Sequence, residues 1–203
     1  MTIRPGAEWG RQVPRPPSLR VAVDDAELAT LLAAPGGGHV AVGGGDLART
    51  LGNPPLDRRD AVSELPIDLV TVTLDEAATH TASAHVTARS PWRRGGWWRG
   101  PVLVVMNAEF LGPYDIAPRG HPNDGRVEVF EIAPEMSVRA RAAARRRARH
   151  AGHVPHPAIT TRSVRRHEWD FPRPLVVHVD GRPVGTARRI AVAVVADAAV
   201  VYA

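Results

Sequence analysis

Residues 67–74 read IDLVTVTL, a run rich in β-branched side chains, and with it the texture of the chain changes. From about residue 65 onward similar short runs recur: ASAHVTA at 82–88, GPVLVVMNAEF at 100–110, GRVEVFEI at 125–132, AITTRSVRRHEW at 158–169, PLVVHVDG at 174–181 and RRIAVAVV at 188–195. Glycine and proline turns separate them, as expected for strands. Seven or so strands at this spacing predict a β-sandwich or a pair of packed sheets over residues 65–203.

Upstream of residue 65 the pattern differs. LRVAVDD (19–25) and HVAVGG (39–44) read as short strands on either side of a helix, DDAELATLLAAP, with Asp24 or Asp25 near its cap. Residues 19–64 are therefore expected to form a reduced α/β segment ending in a glycine loop. Residues 1–18, rich in proline and arginine and without periodicity, read as an extended arm packed on the surface or disordered. Inside the β-rich part, residues 134–152 form a helical insertion, with Pro134 placed to open it and Gly152 to close it. Six of the eleven residues 139–149 are arginine, and no acid lies between Glu135 and Glu168. Such a helix faces either solvent or an anionic partner.

Composition excludes several chemistries. The 203 residues include no cysteine, which removes disulfides, thiolate metal sites and cysteine nucleophiles and points to a reducing, cytoplasmic setting. There is no lysine either, so a Walker-type phosphate lysine and a Schiff base are impossible, although the arginines can still fork onto phosphate or carboxylate. No apolar run has the length of a spanning helix, and the start of the chain lacks the apolar core of a signal peptide.

The order of the pieces carries a resemblance. GGGDLARTLGNP (43–54), PIDLVTV (66–72), VVMNAEFLGPYDIAPRGHPNDGRVEVFEI (104–132) and VVHVDGRPVG (176–185), followed by a paired-strand C-terminus, together resemble the bacterial diacylglycerol and related lipid kinases, which group with the NAD kinases and sphingosine kinases. The likeness runs over roughly residues 39–203. It implies an α+β, mostly β fold: a lipid-kinase-like β-sandwich preceded by a vestigial α/β segment. The family's GGDGT nucleotide domain is missing, and only about forty residues precede the glycine loop.

The resemblance also places residues. GGGDLARTLG is similar to the family's GTxNDfaRtLG loop, with Asp46 on the acid and Arg49 in step. The Thr and Asn are lost, and Gly44 and Gly45 keep only the backbone amides that could meet a phosphate. HPNDGRVEVF is like the loop in which a carboxylate and two main-chain carbonyls hold a structural divalent cation, which would give that role to Asp124 and to the carbonyls of His121 and Arg126. A Mg²⁺ ion suits such a set, and an Asn-Asp-Gly turn without metal suits the same letters. In the family's C-terminal DGE, whose acids serve phosphoryl transfer, Asp180 and Gly181 keep their places while Arg182 stands where the glutamate belongs. An arginine cannot act as general base, so Asp180 would serve alone, or else it is only a turn aspartate.

Two further clusters fit an approach to a bilayer. SPWRRGGWWRG (90–100) gathers Trp92, Trp97 and Trp98 with Arg93, Arg94 and Arg99, and the 134–152 helix adds Arg145 and Arg146. Tryptophan with arginine suits a membrane boundary with anionic headgroups; the same tryptophans could cover a sheet edge or a dimer contact. Nucleic-acid binding rests on these two features alone. His150, His153 and His156 lack the acid or the spacing of a zinc site. The expectation is a lipid-kinase-like protein, impaired in catalysis and ATP use, that binds a lipid or anionic membrane surface or acts as a regulatory module. The alternative is an active ATP-dependent lipid kinase of altered architecture, with Asp46 and Asp180 as its acids and a cleft completed by a homodimer or by a partner's nucleotide domain.

Overall fold

The computed structural model describes residues 9–34, 38–56 and 60–203; the first eight residues of the expected arm lie outside this range. The arm then continues as β1 (Arg11–Pro14), which pairs antiparallel with β4 (Ala61–Leu74). Trp9 anchors it by donating its indole N–H to the Pro66 carbonyl at 2.9 Å. The expected βαβ unit is present: β2 (Arg20–Ala22), α1 (Asp25–Ala33) and β3 (Val40–Val42), the two strands being parallel. Asp24 is the cap of α1, its side chain accepting from the Glu27 amide at 2.7 Å. A short α2 (Gly45–Thr50) follows the glycine loop.

The remaining strands are β5 (Ala78–Ala82), β6 (His85–Arg89), β7 (Val102–Met106), β8 (Phe110–Leu111), β9 (Tyr114–Asp115), β10 (Val127–Ile132), β11 (Ile159–Val164), β12 (Arg166–Val179) and β13 (Arg182–Tyr202). Apart from the small β8–β9 hairpin they belong to one hydrogen-bonded sheet in the order β1-β4-β13-β12-β6-β7-β10-β11, with β5 on β4, and with β2 and β3 joined on at β13. The protein is thus α+β and mostly β. The sheet curls: side chains from β4, β6, β7, β10, β12 and β13, such as Val72, Val86, Val105, Val129, Val177 and Ile190, meet in one core, which a flat sheet of that width would keep apart.

A second core lies at the other end of the same two long strands. Leu65 and Ile67 of β4 and Val201 of β13 pack with Leu28, Val40, Val42 and Leu47 of the α/β unit. Where the strands pass from one core to the other, the β4–β13 register slips between Val195 and Ala199. Asp197 sits in this bulge at φ 51°. The fully buried Asp68 of β4 closes the irregularity by accepting amides from Asp197 at 2.9 Å and Gly125 at 2.6 Å.

The arginine-rich helix is shorter than expected. α3 covers Val138–Arg147 and starts at Ser137, whose hydroxyl accepts from the Ala140 amide, because Pro134 and its neighbours instead make a turn closed by the Met136 amide on the Ala133 carbonyl. Gly152 does end the segment, donating to the Arg147 carbonyl after a 3₁₀ turn. The run 158–169 also divides into two strands, β11 and β12, at Arg165.

Candidate functional site

The glycine loop and α2 face the start of β6. Gly44 precedes α2 in extended conformation, and Gly45 has φ 92°. A Cβ on Gly45 would lie 2.4 Å from the Asp25 carboxylate, so the glycine is needed for close approach as well as for its backbone angle. Asp25 lies on α1 next to the cap, yet its side chain caps α2: Oδ2 accepts the Asp46 amide at 2.7 Å and Oδ1 the Leu47 amide at 3.0 Å. A carboxylate of the chain itself therefore occupies the anion position at this helix start. A phosphate at Gly44 and Gly45 would have to displace it.

Asp46 and Arg49 both turn toward the β8–β9 hairpin. Asp46 Oδ1 accepts the Gly112 amide at 2.8 Å, while Arg49 donates to the Gly112 carbonyl and lies 4.0 Å from the centre of the Phe110 ring. The other oxygen of Asp46 is 3.4 Å from His85 Nδ1. Asp25, Asp46 and His85 thus form one cluster.

Asp180 is close by. With Gly181 it makes the two-residue turn between β12 and β13, both residues having positive φ, 47° and 78°. Its carboxylate is buried and accepts four hydrogen bonds, from the amides of Ser83, Ala84 and His85 at 2.7–2.9 Å and from the Ser83 hydroxyl at 3.1 Å. The bonds hold the backbone of residues 83–85 against the turn. Arg182 is exposed and its guanidinium lies 3.6 Å from Asp24 at the α1 cap.

Burial dominates the electrostatics. The Asp25 carboxyl is pushed up to about 7, chiefly by desolvation, against which the two amides act, with Asp180 and Asp46 adding repulsion. Asp180 is raised for the same first reason, and His85 is lowered by burial in spite of the two acids beside it. Among the described residues no arginine forms an ion pair with Asp25, Asp46 or Asp180.

Beyond His85 a cavity of about 400 Å³ opens between the curled sheet and α3. Its walls are mainly apolar, including Val104, Ile132, Met136, Ala144 and Ile159, and His85, Arg89 and His178 supply polar atoms. The tryptophan loop divides here. Trp97 and Trp98 line the cavity, whereas Trp92 is 75 % exposed and points away beside the exposed Arg93 and Arg94. On α3, Arg145 donates to the Tyr114 hydroxyl beside Trp98, and Arg146 is exposed. Arg141 is buried, donating to the carbonyls of Trp97, Gly100, Ala133 and Met136, and so ties the helix to the loop.

The loop containing His121, Asp124 and Arg126 is closed as a turn: the Asp124 amide donates to the His121 carbonyl at 3.3 Å and the Arg126 amide to Asp124 Oδ1 at 2.9 Å. A carbonyl keeps a second lone pair and Asp124 a second oxygen, and burial with repulsion from Asp68 and Glu128 raises the Asp124 carboxyl. One carboxylate and two carbonyls are oxygen donors of the type a hard divalent cation takes.

Asp25, Asp68, Ser83, His85, Asn107 and Arg141 form the framework around these features without any motif of their own. Asn107 bridges the carbonyls of Asp68 and Ser83 at 2.9 and 2.8 Å. The one local signal for Asp68 is a charge in an otherwise apolar strand run, while His85 has none, because its partners lie far away in sequence.

No protein-family profile matches the chain, and no curated protein matches it. Solved structures do. Three from Bacillus anthracis str. Sterne, a diacylglycerol kinase and two proteins assigned as diacylglycerol kinases, superpose with TM-scores of 0.59, 0.64 and 0.61 at 13, 11 and 13 % identity. Each covers 91 % of this chain, which in turn spans 75–77 % of theirs. The chain shares the fold of these structures.

Proposed function

We propose that the protein uses this fold to bind a lipid-like ligand, with the hydrocarbon in the cavity under α3 and the polar end toward His85, and that it does so without phosphoryl transfer. The observation that carries the reading is the cavity itself, which is mainly apolar, of small-ligand size and has His85, Arg89 and His178 among its polar lining groups. Three features support the absence of transfer. Asp25 fills the start of α2, Asp180 already accepts four hydrogen bonds, and Arg182 replaces an acid and pairs with Asp24. A base whose lone pairs are engaged in holding the backbone is poorly placed to take a proton. Exposed Trp92, Arg93, Arg94 and Arg146 would meet an anionic bilayer. A structural Mg²⁺ in the 121–126 loop, held by Asp124 and the carbonyls of His121 and Arg126, belongs to the same reading.

The test uses delipidated protein with vesicles containing diacylglycerol and a brominated analogue. Uptake of one lipid per chain with quenching of Trp97 and Trp98 is expected, and no label should pass from γ-labelled ATP to the lipid. Absence of uptake would remove the ligand reading. Transfer of label would replace it with an active kinase of altered architecture, with Asp46 and Asp180 as the acids to substitute first.

A further inference from the structure

We infer that Asp25, Asp46 and His85 form a binding site for a divalent transition-metal ion such as Zn²⁺ or Mn²⁺. The ligand atoms of the three residues all lie within 4.8 Å of one another. The shortest pair, Asp46 Oδ2 to His85 Nδ1, is 3.4 Å apart. Two ligands at about 2.0–2.1 Å from a tetrahedral ion stand about 3.3 Å apart, so this pair already has the spacing of a coordination edge.

The histidine supplies independent support. His85 is 5 % exposed, and its Nδ1 has no hydrogen-bond partner although it faces the two carboxylates. A buried ring nitrogen without a partner is costly in a folded protein unless something meets it. A neutral imidazole has one lone pair to offer a metal, and two carboxylates beside it neutralise the ion's charge. Each Asp25 oxygen accepts one amide and retains a second lone pair, so α2 stays capped when the ion binds.

The charge balance points the same way. Asp25, Asp46 and Asp180 converge on a single imidazole, and among the described residues none of the three carboxylates is ion-paired with an arginine. The ligands are also held from behind, as metal ligands commonly are. Gly112 donates to the far oxygen of Asp46, and Asp180 fixes the His85 amide. One imidazole with two carboxylates favours a first-row ion over Mg²⁺, which takes oxygen ligands and waters. The cluster is separate from the 121–126 loop, and the inference does not depend on what occupies the cavity.

Full-length protein stripped with EDTA would be titrated calorimetrically with Zn²⁺, Mn²⁺ and Mg²⁺. One Zn²⁺ or Mn²⁺ per chain is expected, with His85→Ala and Asp46→Asn each weakening binding at least about tenfold and exposed His150→Ala leaving it unchanged. Should His85→Ala fail to fold, Mn²⁺ added to the wild-type chain should selectively broaden the His85 ring signals in NMR spectra. Transition-metal binding that survives His85→Ala in a folded variant, broadening that spares His85, or no binding beyond that of Mg²⁺ would overturn the site.

Discussion

The junction around the α/β unit and the cavity under α3 make different use of buried polar groups. At the α/β end, Asp25, Asp68 and Asp180 lie among backbone amides that they hold in place, so loop, bulge and turn are fixed by carboxylates. At the cavity end, His153 is buried with neither ring nitrogen hydrogen-bonded, and the space before it is large enough for a ligand. The first end turns its carboxylates mainly onto its own backbone; the second leaves both ring nitrogens of His153 without a partner. Rigidity belongs where the chain must connect its two cores, and adaptability where a ligand can enter.

The sharpest way to break this contrast is Asp180→Ala. Removing a buried carboxylate from four donors leaves them unsatisfied, and a loss of about 3–5 kcal/mol is expected in urea unfolding. A near-neutral result would mean that the turn does not depend on Asp180. Gly45→Ala should cost less, about 1–3 kcal/mol, from the positive φ and the contact with Asp25. If Asp25 withdraws to make room, the capping of α2 is looser than its geometry implies.

Acid should weaken the cavity end through His153. Burial lowers the pKa of His153, so the unfolded chain takes up the proton more readily than the folded one. Its contribution to stability is therefore complete above the ordinary histidine value of 6.5 and declines as the pH falls below it. His153→Phe should flatten the stability profile between about pH 6.5 and 5, measured as the denaturation midpoint across that range. An unchanged slope would assign the acid sensitivity to other groups. The smallest effect on stability is expected from Ala144→Leu, which projects into free space: a change within about 1 kcal/mol, with loss of lipid uptake. Uptake that persists would move the ligand out of this cavity.

Much of the fold is legible in the sequence because its signals are local. The β-branched runs, the βαβ pattern and a helix cap at Asp24 or Asp25 are all read from neighbours a few residues apart, and Asp24 is the cap. The junction is not legible in this way. Asp25 looks like a second candidate cap for its own helix, and only the packing of α1 against α2 directs it to the Asp46 and Leu47 amides. The bulge at Asp197 interrupts a run of alanine and valine that reads as continuous strand, because its cause, Asp68, is on another strand. The three tryptophans look alike in the sequence, and the pair of glycines between them turns Trp97 and Trp98 inward and leaves Trp92 outside.

The sharing of β4 and β13 by both cores bears on the order of assembly. β3 pairs with β13 at Tyr202, and the Ala203 amide closes onto Ser63, so the α/β unit gains its hydrogen-bonded partner in the main sheet from β13. During synthesis the joining of that segment to the main sheet must wait until β13 has emerged. Once joined, the two cores should exchange their most protected amides together, as a single cooperative unit.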